Sequence, residues 1–394
     1  MRRLLSPARV MGVDIARGIA LIGMMATHIV PLGDPDGTAS PAALLASGRA
    51  SALFAVLAGV SLALVTGGRQ PASGGDLAAA RRSVAIRAAV IAFVGLTLGV
   101  LDSGVAVILV NHGLLFAVST AFLGFGWRVL APTGLLWLLV TPVLAHALRT
   151  QVDGGPGASP SWFDLAAPLG LAERLLLTGY YPVLSWTGYL LVGLAVGRLP
   201  LRRTATAAWL VAAGAVTAGL AKVVSGLLLP LGYEHLRVPT TSPIAGETLD
   251  LALQTGMFGS TPTTSWWWLV VSGPHSGTPF DLLHTTGTAV LALGLCLLLA
   301  RAVGRWVLPL AAAGSMTLTL YSVHVVVLAA TAGVAASWDP VAEWAVHAIA
   351  ALVLASLWAL TGARGPLEGM TAELSGTARP RGGSTGRGSA RARR

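Results

Sequence analysis

Long apolar runs recur along the chain between short polar breaks, and this pattern predicts ten membrane-crossing helices. The runs cover roughly 10–32, 49–67, 83–101, 105–126, 129–148, 174–197, 204–230, 281–300, 307–333 and 341–361. Each is close to the ~20 residues a helix needs to cross a bilayer. The polar breaks are asymmetric. With the N-terminus cytoplasmic, the inner segments hold Arg2, Arg3, Arg9, Arg69, Arg81, Arg82, Arg87, Arg128, Arg198, Arg202, Arg203, Arg301, Arg305 and Arg364. The outer segments hold only Arg149, Arg174 and Arg237, whereas Asp34, Asp36, Asp153, Asp164, Glu234, Glu247 and Asp250 all fall outside. An arginine excess on the cytoplasmic side is the positive-inside bias, and it requires an even number of spans here. The expected fold class is therefore all-α: a polytopic transmembrane helical bundle of about ten spans with both termini cytoplasmic.

The loops differ in kind. Outer segments 33–48, 149–173 and 231–280 are long, and the last contains Trp266, Trp267 and Trp268, a composition suited to an interfacial aromatic belt. Residues 270–280, V-V-S-G-P-H-S-G-T-P-F, are too short and too broken by Gly and Pro to span. A re-entrant loop there is tolerated only where it lines a cavity. From about Gly369 the chain turns polar and arginine-rich. The domain expectation is a single membrane-embedded unit over 1–368, then a disordered cytoplasmic tail over 369–394 whose contact is anionic lipid.

Composition narrows the function classes. With 54% hydrophobic and 11% charged residues, an ordinary soluble domain is excluded. Lys222 is the only lysine, so the net charge of +10 rests on arginine. That reads as coding composition, and no nucleic-acid partner is expected. Cys296 is the only cysteine, which rules out an intrachain disulfide and a cysteine-rich metal site. No phosphate-cradling glycine motif and no H-E-x-x-H pattern occurs, so neither a nucleotide-hydrolysing engine nor a metal is expected. The run behind Arg2, Arg3 and Arg9 carries Asp14 and Arg17 and ends in no small-residue cleavage site, which argues against a cleaved signal peptide.

The first run holds the most informative polar residues. Arg17 and His28 are eleven steps apart, roughly 20° off a whole number of turns, and Asp14 precedes Arg17 by one turn. All three fall on one helix face. Charges at a helix centre in lipid cost about 2.5–3.5 kcal/mol each, so the face must meet protein or water. It reads either as a structural ion pair with a satisfied histidine or as a buried active face.

Three motifs carry a resemblance. D14-x-x-R17-G18-x-A20 followed by His28 resembles the opening of the membrane acyltransferase superfamily, with the Arg-to-His spacing of acyltransferase family 3. G48-R-A-S-A-L-F-A-V-L-A-G59 resembles that superfamily's second helix, and Arg81, Arg82 and Arg87 follow where a basic acyl-donor motif lies. G314-S-M-T-L-T-L-Y-S-V-H324 resembles its late helix ending in Tyr-x-x-His. P274-H-S-G-T-P279, G179-Y-Y-P182 and R364-G-P-L-E368 point to bacterial proteins similar to the heparan-alpha-glucosaminide N-acetyltransferase catalytic domain. The resemblance covers roughly 9–368. The lysosomal enzyme has asparagine at the position of His28 and a histidine in the loop that follows. Here loop 33–48 has none, so the resemblance implies that His28 carries the chemistry, as in acyltransferase family 3. The basic motif is also not a clean R-x-x-R.

The resemblance implies an integral membrane acyltransferase with acyl-CoA, by resemblance acetyl-CoA, as cytoplasmic co-substrate and no metal. Its acceptor would be a hydroxyl or amine of an extracytoplasmic glycan or lipid-linked sugar, and its place the plasma membrane. His28 is the candidate base or acyl carrier, since imidazole titrates near neutrality. Asp14 and Arg17 fix the helix or meet the donor's path. Arg81, Arg82 and Arg87 are candidates for coenzyme A phosphates, because arginine forks bind phosphate; each reads equally as a positive-inside anchor. Arg49, His112, Tyr181, His275, Tyr321 and His324 are candidate acceptor or cavity residues. His146, His235 and His347 read as structural or exposed. A transporter of a small molecule or lipid, or a non-catalytic scaffold, uses the same polar residues. No internal repeat of broken helices, the mark of many transporters, is visible. Oligomeric state is not legible.

Overall fold

The computed structural model describes residues 6 and 9–376 apart from 35, 153, 154, 156, 241, 247 and 336. Arg2, Arg3, Asp153, Glu247 and the expected tail beyond 376 lie outside the described residues. The helices in chain order are α1 (Met11–Ile29), α2 (Pro41–Ala46), α3 (Arg49–Val65), α4 (Gly74–Leu98), α5 (Leu109–Ser119), α6 (Trp127–Arg149), α7 (Pro168–Glu173) and α8 (Val183–Gly197). They continue as α9 (Thr204–Gly232), α10 (Leu249–Thr255), α11 (Pro279–Ala302), α12 (Leu308–Gly314), α13 (Thr317–Ala335), α14 (Pro340–Leu360) and α15 (Pro366–Leu374). Among the described residues the one β-type pairing is an isolated bridge between Gly33 and Ala39.

This is a multi-pass helical membrane protein. Among the described residues α1, α2 with α3, α6, α9, α11, α13 and α14 are long and apolar enough to cross a membrane. Residues Pro168–Thr178 with α8 add an eighth crossing, bent by 54° at the G-Y-Y-P break. Outer faces are apolar, as hydrocarbon demands: Trp209, Leu227 and Leu231 on α9 and Ile349 and Leu357 on α14 are all well exposed. The buried core is centred on α1, α3, α8 and α11.

Three expected spans take another form. Run 83–101 begins earlier, as α4 from Gly74, and the helix carries Asp76, Arg81, Arg82 and Arg87. Run 105–126 yields only the eleven residues of α5, about 16 Å of helix. Residues 105–108 ahead of it are non-helical, because side chains take their backbone bonds. Val107 N–H donates to Ser159 Oγ at 2.9 Å, and that hydroxyl donates to Val105 O at 3.1 Å. Tyr181 Oη donates to Ala106 O at 3.2 Å, and Ile108 N–H donates to Tyr321 Oη at 3.4 Å. Run 307–333 is broken at Ser315 and Met316 into α12 and α13. There α12 crosses α1 at backbone contact. A Cβ on Gly314 would overlap the Asp14 carbonyl, and one on Gly18 would overlap that of Leu310; small residues permit such approach.

The break leaves the first N–H groups of α13 without helical partners. Glu368 of α15 supplies them: Oε1 accepts from Leu318 N–H at 2.7 Å and Thr319 N–H at 3.2 Å, and Oε2 from Thr319 Oγ1 at 2.6 Å. Helix therefore continues past 368 to Leu374, into the stretch expected to be tail. The three tryptophans do not form one belt. Trp268 is fully buried against Leu236, Ile244 and Met257, Trp266 packs on His146, and Trp267 stacks with His235.

Candidate active site

Two cavities face each other inside the bundle. We call the end carrying the arginine-rich connections the inner end. The inner cavity, about 1390 Å³, is bounded by α1, α3, α4, α5 and α15. Its cations are Arg9, Arg17, Arg82, Arg87 and Arg364, with Asp76 and Glu368 among them. The other wall is apolar or aromatic: Phe54, Ala58, Ile91, Leu109 and Phe116, with His112. A space this large and basic suits a long, multiply phosphorylated ligand.

Asp14 organises the basic wall without lining it. Its buried carboxylate accepts from Arg9 Nε at 2.8 Å and Nη2 at 2.9 Å, and from Arg17 Nη1 at 3.1 Å. Arg17 also donates to Ser61 Oγ. One buried acid thus orients two guanidinium groups at the cavity wall, so Asp14 is a support. Arg82 and Arg87 line the cavity; Arg81 does not, since it is exposed and donates to Thr120 O at 2.9 Å. His112 is buried, lies 5.1 Å from the Phe54 ring, and neither of its ring nitrogens has a partner among the described residues. Buried polar atoms without partners call for a water or a ligand.

The outer pocket, about 170 Å³, holds His28, Thr27, Ser47, Ser51, Tyr180, Tyr181, Phe258 and His275. Here the G-Y-Y-P break and the Gly/Pro loop meet. Gly259 N–H donates to His275 O at 2.8 Å, Met257 N–H to Pro274 O at 2.9 Å, and Ser47 Oγ to Thr255 O at 2.7 Å. His275 has φ 53°, a left-handed conformation rarely taken by residues with a side chain. Gly48, with φ 69°, lets α3 start against that loop; a Cβ would lie 3.1 Å from Pro274 Cβ. His275 sits edge-on to Tyr180 (centroids 4.6 Å apart) and Tyr181 (5.8 Å). Loss of solvent, helped by nearby His28, pushes its pKa down to about 3. Neutral at physiological pH, it can donate and accept hydrogen bonds. The loop thus lines the outer pocket with its backbone bonded to the 255–259 segment.

The two cavities are separated by one helical turn. On α3, Ser51 faces the outer pocket and Phe54 the inner cavity, about 4.5 Å apart along the axis. The same division falls between Ala106 and Leu109, with Ile108 and Tyr321 joined between them. Arg17 and His28 share a helix, yet they open into different cavities. Tyr321 and His324 both reach His28: the Tyr321 ring is 6.3 Å away edge-on, and His324 Nε2 is 3.1 Å from His28 Nδ1.

Some residues fall elsewhere. Arg49 donates to Ser47 O at 3.3 Å and lines neither cavity. His347, expected to be structural or exposed, is half-buried, with Nδ1 2.8 Å from His324 Nδ1. Arg198, read only as an inner-side charge, is buried and ties α3 to the α5–α6 turn through Ala63, Thr66, Gly68 and Leu123 carbonyls. Among the described residues no three His, Cys, Asp or Glu side chains are grouped to hold a metal ion.

Comparison with known proteins gives one family. A sequence model described as heparan-alpha-glucosaminide N-acetyltransferase, catalytic, matches residues 9–226. No curated protein matches the chain. The matched stretch contains His28, the arginines of α4, His112 and Tyr181, and ends before α11.

Proposed function

Because the chain belongs to the heparan-alpha-glucosaminide N-acetyltransferase catalytic family, we propose that it carries an acetyl group across its own partition. The donor is acetyl-CoA, held in the inner cavity from the cytoplasmic side. The acceptor is an amine or hydroxyl of an extracytoplasmic glycan or lipid-linked sugar, held in the outer pocket, and the membrane is the cytoplasmic one. The observation that carries this reading is the pair of cavities one helical turn apart, basic on one side and aromatic with histidine on the other.

In this reading Arg82, Arg87 and Arg364 meet the donor phosphates, because guanidinium forks match phosphate oxygens. Phe54 and Phe116 pack along the pantetheine arm. His112, whose nitrogens lack protein partners, donates to the thioester oxygen as negative charge develops there. Tyr180 and Tyr181 present rings to the sugar, and neutral His275 bonds a hydroxyl. His28 removes the acceptor's proton as the nucleophile attacks the thioester carbonyl, and the coenzyme A thiolate leaves into the inner cavity.

The test uses the full-length protein in liposomes with radiolabelled acetyl-CoA and a glucosamine-terminated oligosaccharide. Label should pass to the sugar with wild-type protein and not with His28→Ala. Mass spectrometry of envelope glycans from cells with and without the protein should show an acetyl increment only with it. No labelled sugar and no missing increment would defeat the reading.

A further inference from the structure

Three histidines on three helices form a continuous chain, and two of them lie beyond the stretch matched to the family. His28 ends α1, His324 sits within α13 and His347 within α14. The His28 and His324 rings are nearly parallel with centroids 5.3 Å apart, and His324 and His347 are perpendicular at 4.9 Å. The facing nitrogens are 3.1 Å and 2.8 Å apart, both hydrogen-bond distances. Trp344, one turn from His347, fixes α14 against α1 by donating from Nε1 to Ile22 O at 3.2 Å. Glu343, one turn toward the start of α14, lies on the same helix face as His347. Around His28 the other titratable groups are His275 and Tyr321.

Tautomer logic limits this chain. Between two neutral imidazoles one nitrogen donates and the other accepts, and each ring has one N–H. Only two all-neutral arrangements satisfy both bonds. In the first, protons sit on His28 Nδ1, His324 Nδ1 and His347 Nε2, so His28 Nε2 carries a lone pair. In the second, protons sit on His28 Nε2, His324 Nε2 and His347 Nδ1. His28 is a base only in the first. His28 Nε2 has no bond to another described residue, and the ring lines the outer pocket.

We propose that His324 and His347 hold His28 in the basic tautomer, and that His347, beside Glu343, stores the proton taken from the acceptor until it is returned. The proposal rests on the acyl-transfer reading for the source of that proton. The acceptor's proton bonds to His28 Nε2. The His28 Nδ1 proton then passes to His324 Nε2, and the His324 Nδ1 proton passes to His347 Nδ1. His28 and His324 end neutral, and His347 is an imidazolium one helical turn from Glu343. The charge has left the aromatic pocket for a half-buried position near an acid. Reversal passes the proton back to His28 Nε2, which gives it to water in the outer pocket, while the coenzyme A thiolate takes a proton from water on the inner side; the first arrangement is restored. His324 and His347 act through His28 and are positioning residues.

The experiment has two arms on the full-length protein. Nitrogen-15 histidine NMR in liposomes reads the tautomers directly. The expected state is Nδ1–H at His28 and at His324, and Nε2–H at His347. An Nε2–H tautomer at His28 overturns the chain whether or not the protein transfers acetyl groups. The second arm measures transfer from acetyl-CoA to the glucosamine-terminated oligosaccharide. His347→Gln still accepts the His324 proton through its amide oxygen but cannot become a cation. It should lower kcat by at least about tenfold, with KM for acetyl-CoA unchanged and the pH profile altered. Glu343→Gln should lower kcat about threefold. A purely structural His347 predicts wild-type kcat and pH profile in the glutamine variant, and that result overturns the store. Wild-type protein that transfers nothing while showing the expected tautomers defeats the acyl-transfer reading and leaves the tautomer chain standing.

Discussion

The inner cavity and the outer pocket are built on opposite principles. The inner cavity is about eight times larger and its polar wall is guanidinium, oriented by one buried acid. The outer pocket has no arginine in its wall and is closed by backbone bonds between loops, with rings and imidazoles pointing in. A roomy basic cavity binds by summed charge and tolerates the loss of one contact. A small pocket with bonded walls depends on the position of its reacting groups, so removing one of those should cost most. The contrast separates holding a substrate from doing chemistry on it, and the substitutions below test that division.

The largest effect is expected at His28. Alanine should reduce transfer about 10²- to 10⁴-fold, the usual range for loss of a general base. Asparagine or glutamine should do little better, because an amide keeps a hydrogen bond and cannot take a proton. The measurement is acetyl transfer alongside thermal stability in detergent. Rescue by asparagine would make the histidine structural and erase the contrast.

Next comes the basic wall. Replacing Arg82 and Arg87 together by Gln should raise KM for acetyl-CoA by about 10- to 100-fold, as expected when charged hydrogen bonds are lost. Its dependence on ionic strength should weaken, and kcat should hardly change. Arg81→Gln should leave KM unaltered, since that side chain is turned to the Thr120 carbonyl. Equal effects at all three positions would mean the cavity does not hold the donor.

The smallest effect tests the pocket's construction. Gly48→Ala places a side chain at φ 69° and against Pro274, so stability should fall by about 1–2 kcal/mol. Transfer should fall more than stability explains, because the His275 loop shifts. A variant of wild-type activity and melting temperature would remove the loop from the site.

Much of this was legible from residue patterns. Arginine asymmetry and apolar runs located nearly all of the long helices; spacing put His28 forward, and the family resemblance put Tyr321 and His324 forward. What escaped has a common cause. Hydropathy reports the transfer free energy of a run, not whether its backbone bonds are helical. Residues 105–108 are apolar, yet Ser159, Tyr181 and Tyr321 take their bonds. The break in 307–333 likewise depends on α1 meeting Gly314 and on Glu368, fifty residues on, capping Leu318. His347 was passed over because a lone histidine on an apolar helix carries no local signal, and its partner lies 23 residues back on another helix. Asp14 read as part of an active face because periodicity gives the side of a helix, not which cavity that side meets.

The central claim is that an acetyl group crosses the partition while coenzyme A does not. Liposomes with one protein orientation, acetyl-CoA on the arginine-rich side and the glucosamine-terminated oligosaccharide on the other, test it directly. The account predicts free coenzyme A on the arginine-rich side and acetylated sugar opposite. Intact acetyl-CoA appearing on the sugar side, or acetylated sugar only when both substrates share a side, would contradict it.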